Sequence, residues 1–230
     1  PLYACIRRTL KPGDTFMTMS FLDGGMVTGG HDRSLPVRDY KRILLVVDPG
    51  TRQIDYIHTK LDALKEPEGQ EPRLLVIGPV AHTRPIDFSA FRKMADEISA
   101  ETGVPLLLVA DVSLHFPEIL IGDYPNPFPS MDGVILSTRH LGGSGGALFV
   151  RNKHYPEVNR HLEIEEKKNL AELGVEEISA LQPGWRATDM AAKEALADWM
   201  LSPEFEPYAR QITRNAEVLT GALRELGVKL

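Results

Sequence analysis

The sequence predicts an α/β protein of three layers, with helices on both sides of a mostly parallel sheet. Two observations lead there. Apolar runs of strand length recur along the chain, separated by stretches with helical spacing, and that order of elements is the mark of a largely parallel sheet. The runs are also apolar throughout rather than alternating, as strands covered by crossover helices on both faces are.

The chain opens on Leu2–Leu10, apolar at helical spacing, in what reads as a helix already under way at Pro1, so a longer natural N-terminus is expected. Cys5 lies in this stretch and is expected to be a buried structural thiol. The segment from Leu22 to Tyr40 is long and glycine-bearing, which marks a functional or mobile loop. Ile43–Val47 is the first strand run, ended by the turn Asp48-Pro49-Gly50-Thr51, and Leu74–Ile77, Leu106–Val109, Val134–Leu136 and Leu148–Val150 follow. Between the second and third lies Phe88–Glu101, with Phe88, Phe91, Met94, Ala95 and Ile98 on one helical face, Asp87 as N-cap and Gly103 as stop. Glu157–Leu173 is helical in composition, and its run Glu163, Glu165, Glu166, Lys167 and Lys168 reads as a solvated face. Ala187–Met200 is a further helix. Ser202-Pro203 is expected to start a long amphipathic one carrying Phe205, Tyr208, Ile212, Leu219, Leu223 and Leu226, with Gly227 beyond its end. No internal repeat or low-complexity linker interrupts the 230 residues, which predicts a single domain.

Composition narrows the function classes. Hydrophobic residues at 43% and charged residues at 25% are ordinary globular values, which excludes a disordered or fibrous chain. The formal charge of −6 does not suggest a nucleic-acid binder, whose footprint is a basic patch. No apolar run approaches the roughly 18 residues of a membrane span. With one cysteine and no charged-then-apolar leader, a reducing, cytoplasmic setting is expected.

Several motifs offer chemistry. Gly142-Gly143-Ser144-Gly145-Gly146 fits the G-x-S-x-G hydrolase pattern, but a strand run follows it where a nucleophile elbow needs a helix. A tight turn with close backbone approach is the expected structure. His31, His58, His82, His115, His140, His154 and His161 are scattered without metal-ligand spacing, so no zinc site is expected. Asp111 ends an apolar strand, where open α/β sheets present ligand-binding groups. It suits two roles: partner of a pyridinium nitrogen, or cap of a neighbouring loop. Arg139 and Arg186 lie near glycine turns and are either anion-binding or simply exposed.

Taken in order, the segments resemble serine hydroxymethyltransferase, of the fold-type-I (aspartate-aminotransferase-like) pyridoxal-phosphate enzymes. The likeness runs through Lys11-Pro12-Gly13-Asp14, Gly24-Gly25 with Thr28, Val47-Asp48-Pro49 with Ile54-Asp55-Tyr56, and Arg84-Pro85-Ile86-Asp87-Phe88 leading into Met94-Ala95-Asp96-Glu97. It continues through Val109-Ala110-Asp111, Tyr124-Pro125-Asn126-Pro127 and Ser202-Pro203-Glu204-Phe205. The resemblance implies the large domain of that fold, with pyridoxal phosphate contacted by Asp111, Met26, His82 and Arg139. It also implies that a phosphate-cradling segment would lie before Pro1 and a small domain after Leu230.

The departures fall on the chemistry. Counted without gaps from Asp111, the family's strand-end histidine is Leu114 and its Schiff-base lysine is His140; a shortened glycine stretch would move the lysine position to Thr138. Met26 stands at the ring-stacking histidine and Asp23 at a neighbouring one. Val80-Ala81-His82 replaces Ser-Ala-Tyr, and the segment that reaches the partner's phosphate is reduced to Pro183-Gly184-Trp185-Arg186. The nearest downstream lysine is Lys153, just past a strand end. An imidazole forms no stable imine, so His140 could serve only in proton transfer. The resemblance therefore implies a degenerate subunit, a homodimer or a heteromer with a homologous lysine-bearing chain, binding pyridoxal phosphate or no cofactor. The alternatives are an active hydroxymethyltransferase or aldolase acting on a β-hydroxy amino acid, a lysine-free enzyme using His140 with Asp111, and a binding module.

Overall fold

The computed structural model describes residues 2–150, 156–163, 172, 184 and 186–228. Six strands form one sheet: β1 (Thr15–Thr18), β2 (Lys41–Leu44), β3 (Pro72–Ile77), β4 (Leu107–Asp111), β5 (Gly133–Ser137) and β6 (Gly146–Val150), in the order β2-β1-β3-β4-β5-β6. The first five are parallel, and β6 runs antiparallel to β5 with Ser137 opposite Gly146.

Successive residues of the central strands enter opposite layers, which explains their unbroken apolar runs. On one face, Met17, Leu75, Ile77, Leu108, Ala110, Val134 and Leu136 pack with helices α4 (Tyr56–Leu64), α5 (Phe88–Thr102) and α6 (Phe116–Leu120). On the other, Phe16, Leu74, Val76, Leu107, Val109 and Ile135 pack with α1 (Leu2–Thr9) and with Val158 of α7 (Pro156–His161). Burial holds the Cys5 thiol in this second layer and pushes its pKa up to about 12, so it is an inert core group.

Helix α5 forms as its sequence directs. Asp87 Oδ1 accepts from the Ala90 N–H at 2.9 Å, and Gly103 closes the helix at φ +72° with its N–H on the Ser99 carbonyl. Its apolar stripe is buried, and Phe91 meets Tyr56 of α4 edge to face, ring centroids 4.9 Å apart. Arg92 on the same helix reaches the buried Asp132 at 3.0 Å, whose carboxylate also accepts from the Leu108 N–H. That pair fixes α5 against the start of β4.

Several expectations need correction. Strand β1 escapes the apolar-run criterion because it is four residues with a threonine at each end, yet it lies second in the sheet and is fully buried. The run Ile43–Val47 leaves the sheet after Leu44, and Val47 instead bridges Ile54 across the turn. The stretch Leu22–Tyr40 is not an open loop: it holds the kinked turn α2 (Val27–Gly30) and the short helix α3 (Leu35–Asp39). The helix expected from Glu157 stops at His161, with Glu163 at φ +57°. Glu165, Glu166, Lys167 and Lys168 lie outside the described residues.

Helix α8 (Ala187–Met200) matches its expected span, and α9 (Phe205–Glu225) follows. Ser202 does not cap α9; its hydroxyl donates to the Trp199 carbonyl at the end of α8 instead. Among the described residues no helix is long and apolar enough to cross a membrane.

Phe91 is fully buried and central to one layer, so Phe91→Ala should cost about 3–5 kcal/mol of stability, read from urea denaturation as a lower midpoint at unchanged slope.

Candidate functional site

Parallel strands end together, so the segments after β1, β3, β4 and β5 gather at one edge of the sheet, where ligands bind in open α/β folds. Asp111 is the last residue of β4 and half-buried. Its Oδ1 accepts from the Ser113 N–H at 3.1 Å and from the Ser113 hydroxyl. Ser113 Oγ in turn accepts from the Ser137 N–H at 2.8 Å. The carboxylate thus closes the turn after β4 and, through Ser113, joins it to the end of β5.

Two glycines let the loop after β1 dock on the segment after β3. Gly24 sits at φ +91°, and a Cβ there would fall 2.4 Å from the His82 nitrogen. The Gly24 carbonyl accepts from both Val80 and Ala81, and Gly25 bridges Pro79. This contact carries Met26 into the core. A Cβ on Gly78 would lie 1.6 Å from Met26 Cε and 3.5 Å from Asp111 Cβ. Met26 is 7% exposed and packs in the layer of Val76 and Val109. The residue expected at the ring-stacking position is therefore an apolar plug over the end of β3, beside Asp111.

His82 is also buried, with Nδ1–H donating to the Asp23 carbonyl at 3.3 Å; burial lowers its pKa. Leu114, at the expected position of the strand-end histidine, is exposed. The next residue, His115, stacks face to face on Tyr124, centroids 4.4 Å apart and planes 7° from parallel. Burial lowers the pKa of the His115 imidazole and raises that of the Tyr124 hydroxyl to about 12. In the sequence Tyr124 stands out only as the first residue of Tyr124-Pro125-Asn126-Pro127. The signal available was an aromatic residue at each end of the short segment holding α6.

At the lysine position the two alignments have different surroundings. Thr138 is buried, donates to the Ser144 carbonyl at 2.9 Å and lies 2.9 Å from where a Gly143 Cβ would be. It packs beneath the glycine turn. His140 and Arg139 are exposed on the 3-10 turn Thr138–Leu141, where the Arg139 carbonyl accepts from the Gly142 N–H, and neither side chain makes a hydrogen bond or ion pair among the described residues. Ser144 donates to the Asp189 carbonyl of α8 and precedes a strand, so the glycine segment is a tight turn and not a nucleophile elbow. Gly184 and Arg186 are exposed. His154, Lys153, Pro183 and Trp185 lie outside the described residues. No group of three or more metal-ligating side chains forms among the described residues.

These residues do not fit pyridoxal phosphate held as an imine. At the positions where the resemblance implies the lysine, the side chains are an imidazole or a hydroxyl, which form no stable imine, and Met26 packs against Gly78 beside Asp111.

The family model for serine hydroxymethyltransferase matches residues 3–230. Among curated relatives, the serine hydroxymethyltransferase of Nitrosomonas eutropha is 32% identical over 223 residues, 96% of this chain and 48% of that protein. That of Phenylobacterium zucineum is 31% identical over 224 residues, 96% of this chain and 47% of the relative. That of Onion yellows phytoplasma is 29% identical over 225 residues, covering 96% and 48%. The chain spans about half the length of the curated relatives it matches.

Gly78→Ala should force the Met26 side chain aside and cost about 1–3 kcal/mol. Most of that cost should vanish in a Met26→Ala background, a coupling that a double-mutant cycle of denaturation midpoints measures. For His115 the unfolded chain takes up a proton below its ordinary value of 6.5 while the folded protein resists it. Stability should therefore fall as pH drops from 7 through that value, by at most about 1.4 kcal/mol per pH unit for this group. The slope should be shallower in His115→Phe, measured by urea denaturation between pH 5 and 7.

Proposed function

Since this chain belongs to the serine hydroxymethyltransferase family, we propose that it is a degenerate member, a single domain unable to form the internal imine alone and pairing with a homologous lysine-bearing subunit. The observation that carries this reading is the exposed His140 where the lysine is expected, with Thr138 packed under the glycine turn. An imidazole cannot anchor an aldehyde covalently, and an exposed one is not preorganised for proton transfer. Met26 against Gly78 supports the same conclusion, because it replaces a polar aromatic face with a thioether committed to the core.

The rim of this edge supports a covering subunit. Leu22 is 89% exposed, and Val27, Leu35 and Val80 are also exposed, around the loop that docks through Gly24. Large apolar side chains gathered on a surface favour a protein partner. A homologous subunit meets that need with a related surface, as pseudosymmetric pairs do. On this reading the chain contributes structure and loops, and the covalent chemistry belongs to the partner in the cytoplasm.

A titration with pyridoxal phosphate, followed by visible absorption before and after borohydride, tests this. The free-aldehyde spectrum should persist, and no peptide should become labelled. A reduced adduct at one lysine would overturn the reading and identify the replacement. Isolation of the native protein should bring down a lysine-bearing homologue in a fixed ratio.

A further inference from the structure

The turn after β2 holds an arginine in a conformation that side chains rarely adopt. Arg52 sits at φ +60°, in the left-handed region that glycine favours. The turn that presents it is rigid: Asp48 Oδ1 accepts from the N–H groups of Gly50 and Thr51 at 3.0 and 2.6 Å and from the Thr51 hydroxyl at 2.9 Å. The Arg52 N–H bonds to the Asp48 carbonyl at 2.8 Å.

A second arginine is tied to the same turn. Arg84 Nε donates to the Thr51 carbonyl at 3.0 Å, and its two terminal nitrogens make no hydrogen bond among the described residues. Arg52 meets Asp23 at 3.5 Å, a long contact between partly exposed groups that adds little and that a competing anion can displace. His82, 7% exposed, bonds to the carbonyl of the same Asp23 that meets Arg52. Because its Nδ1 donates to the Asp23 carbonyl, its neutral ring presents Nε2 as an acceptor, and that atom has no partner among the described residues. Both arginines lie near enough to disfavour a proton on His82.

We propose that Arg52, Arg84 and His82 form a binding site for a small oxyanion that retains one hydroxyl, as hydrogen phosphate or a singly protonated phosphate monoester does. The guanidinium groups bind the anionic oxygens, where planar donors suit phosphate. His82 Nε2 accepts from the remaining P–OH. The fully ionised carboxylate or sulfate lacks that proton and meets only the arginines. The site depends on neither an imine nor a partner subunit, so it stands or falls separately from the proposed function.

Calorimetric titration of the whole protein with inorganic phosphate tests this at pH 7, with sulfate as the comparison. Phosphate should bind saturably and more tightly than sulfate. Arg52→Gly suits the test because glycine favours the backbone angle already present, so the variant should melt no lower than the parent. It should bind phosphate about tenfold more weakly, the loss of one charge-assisted contact. Arg84→Met should do the same, and His82→Phe should abolish the preference for phosphate over sulfate. No saturable phosphate binding, or an unchanged affinity in a folded Arg52→Gly protein, would overturn the site. Equal binding of the two anions by the parent would remove His82 from it.

Discussion

The central strands β1, β3, β4 and β5, hydrogen-bonded in parallel, leave no face open to water, and this constraint shapes everything else in the molecule. Each central strand sends alternate side chains into a layer of helices above and below. Because parallel strands finish on the same side, Met19, Gly78, Asp111 and Thr138 begin their excursions from one edge. Antiparallel β6 starts at that edge too, opposite Ser137, which is why the glycine turn before it belongs to the same region. The layers supply stability, and the edge collects whatever chemistry the chain has.

At that edge the packing is set by small residues. Gly24 and Gly25 approach the backbone of Met19, Ser20 and Ala81 more closely than any side chain permits, and Gly78 leaves room for Met26 Cε. A loop held this closely has little freedom to reopen. The position that the family resemblance assigns to a stacking histidine is therefore part of the hydrophobic interior, continuous with Val76 and Val109. Asp111 retains its place by a different means: it accepts from Ser113 and helps hold the ends of β4 and β5 in register. A strand-end carboxylate with a structural hydrogen-bonding task persists independently of any ligand.

Charge is distributed by the same geometry. Burial disfavours a proton on the two interior imidazoles at the edge: His115 sits flat on Tyr124, and His82 bonds to a carbonyl. The cations stand on the rim, where Arg52 and Arg84 share the turn from Asp48. Net charge across the chain is negative, so a local pair of guanidinium groups beside a neutral imidazole departs from the average surface. Desolvated imidazoles thus lie inside this edge and guanidinium groups at its rim.

Much of this was written locally. The strand runs, the caps of α5, the span of α8 and the buried Cys5 follow from periodicity, turn residues and side-chain identity, all properties of neighbouring positions. Asp111 was also nameable in advance from its strand end, whereas Met26, His82, Arg139 and His140 were candidates because the family resemblance implies them. What they do there was not. Met26 entering the core depends on Gly78, fifty-two residues away in sequence; the choice between Thr138 and His140 depends on how the glycine turn folds back; His115 stacking depends on the path of α6. Strand β1 acquires its burial only from the partners on either side. The sequence by itself determined most of the elements, β1 and the short helices after it excepted, and the chemical identities at the edge, since those are local. Tertiary structure decided which side chains fill space, which bond to the backbone and which remain available, since each of those outcomes requires contacts between distant segments.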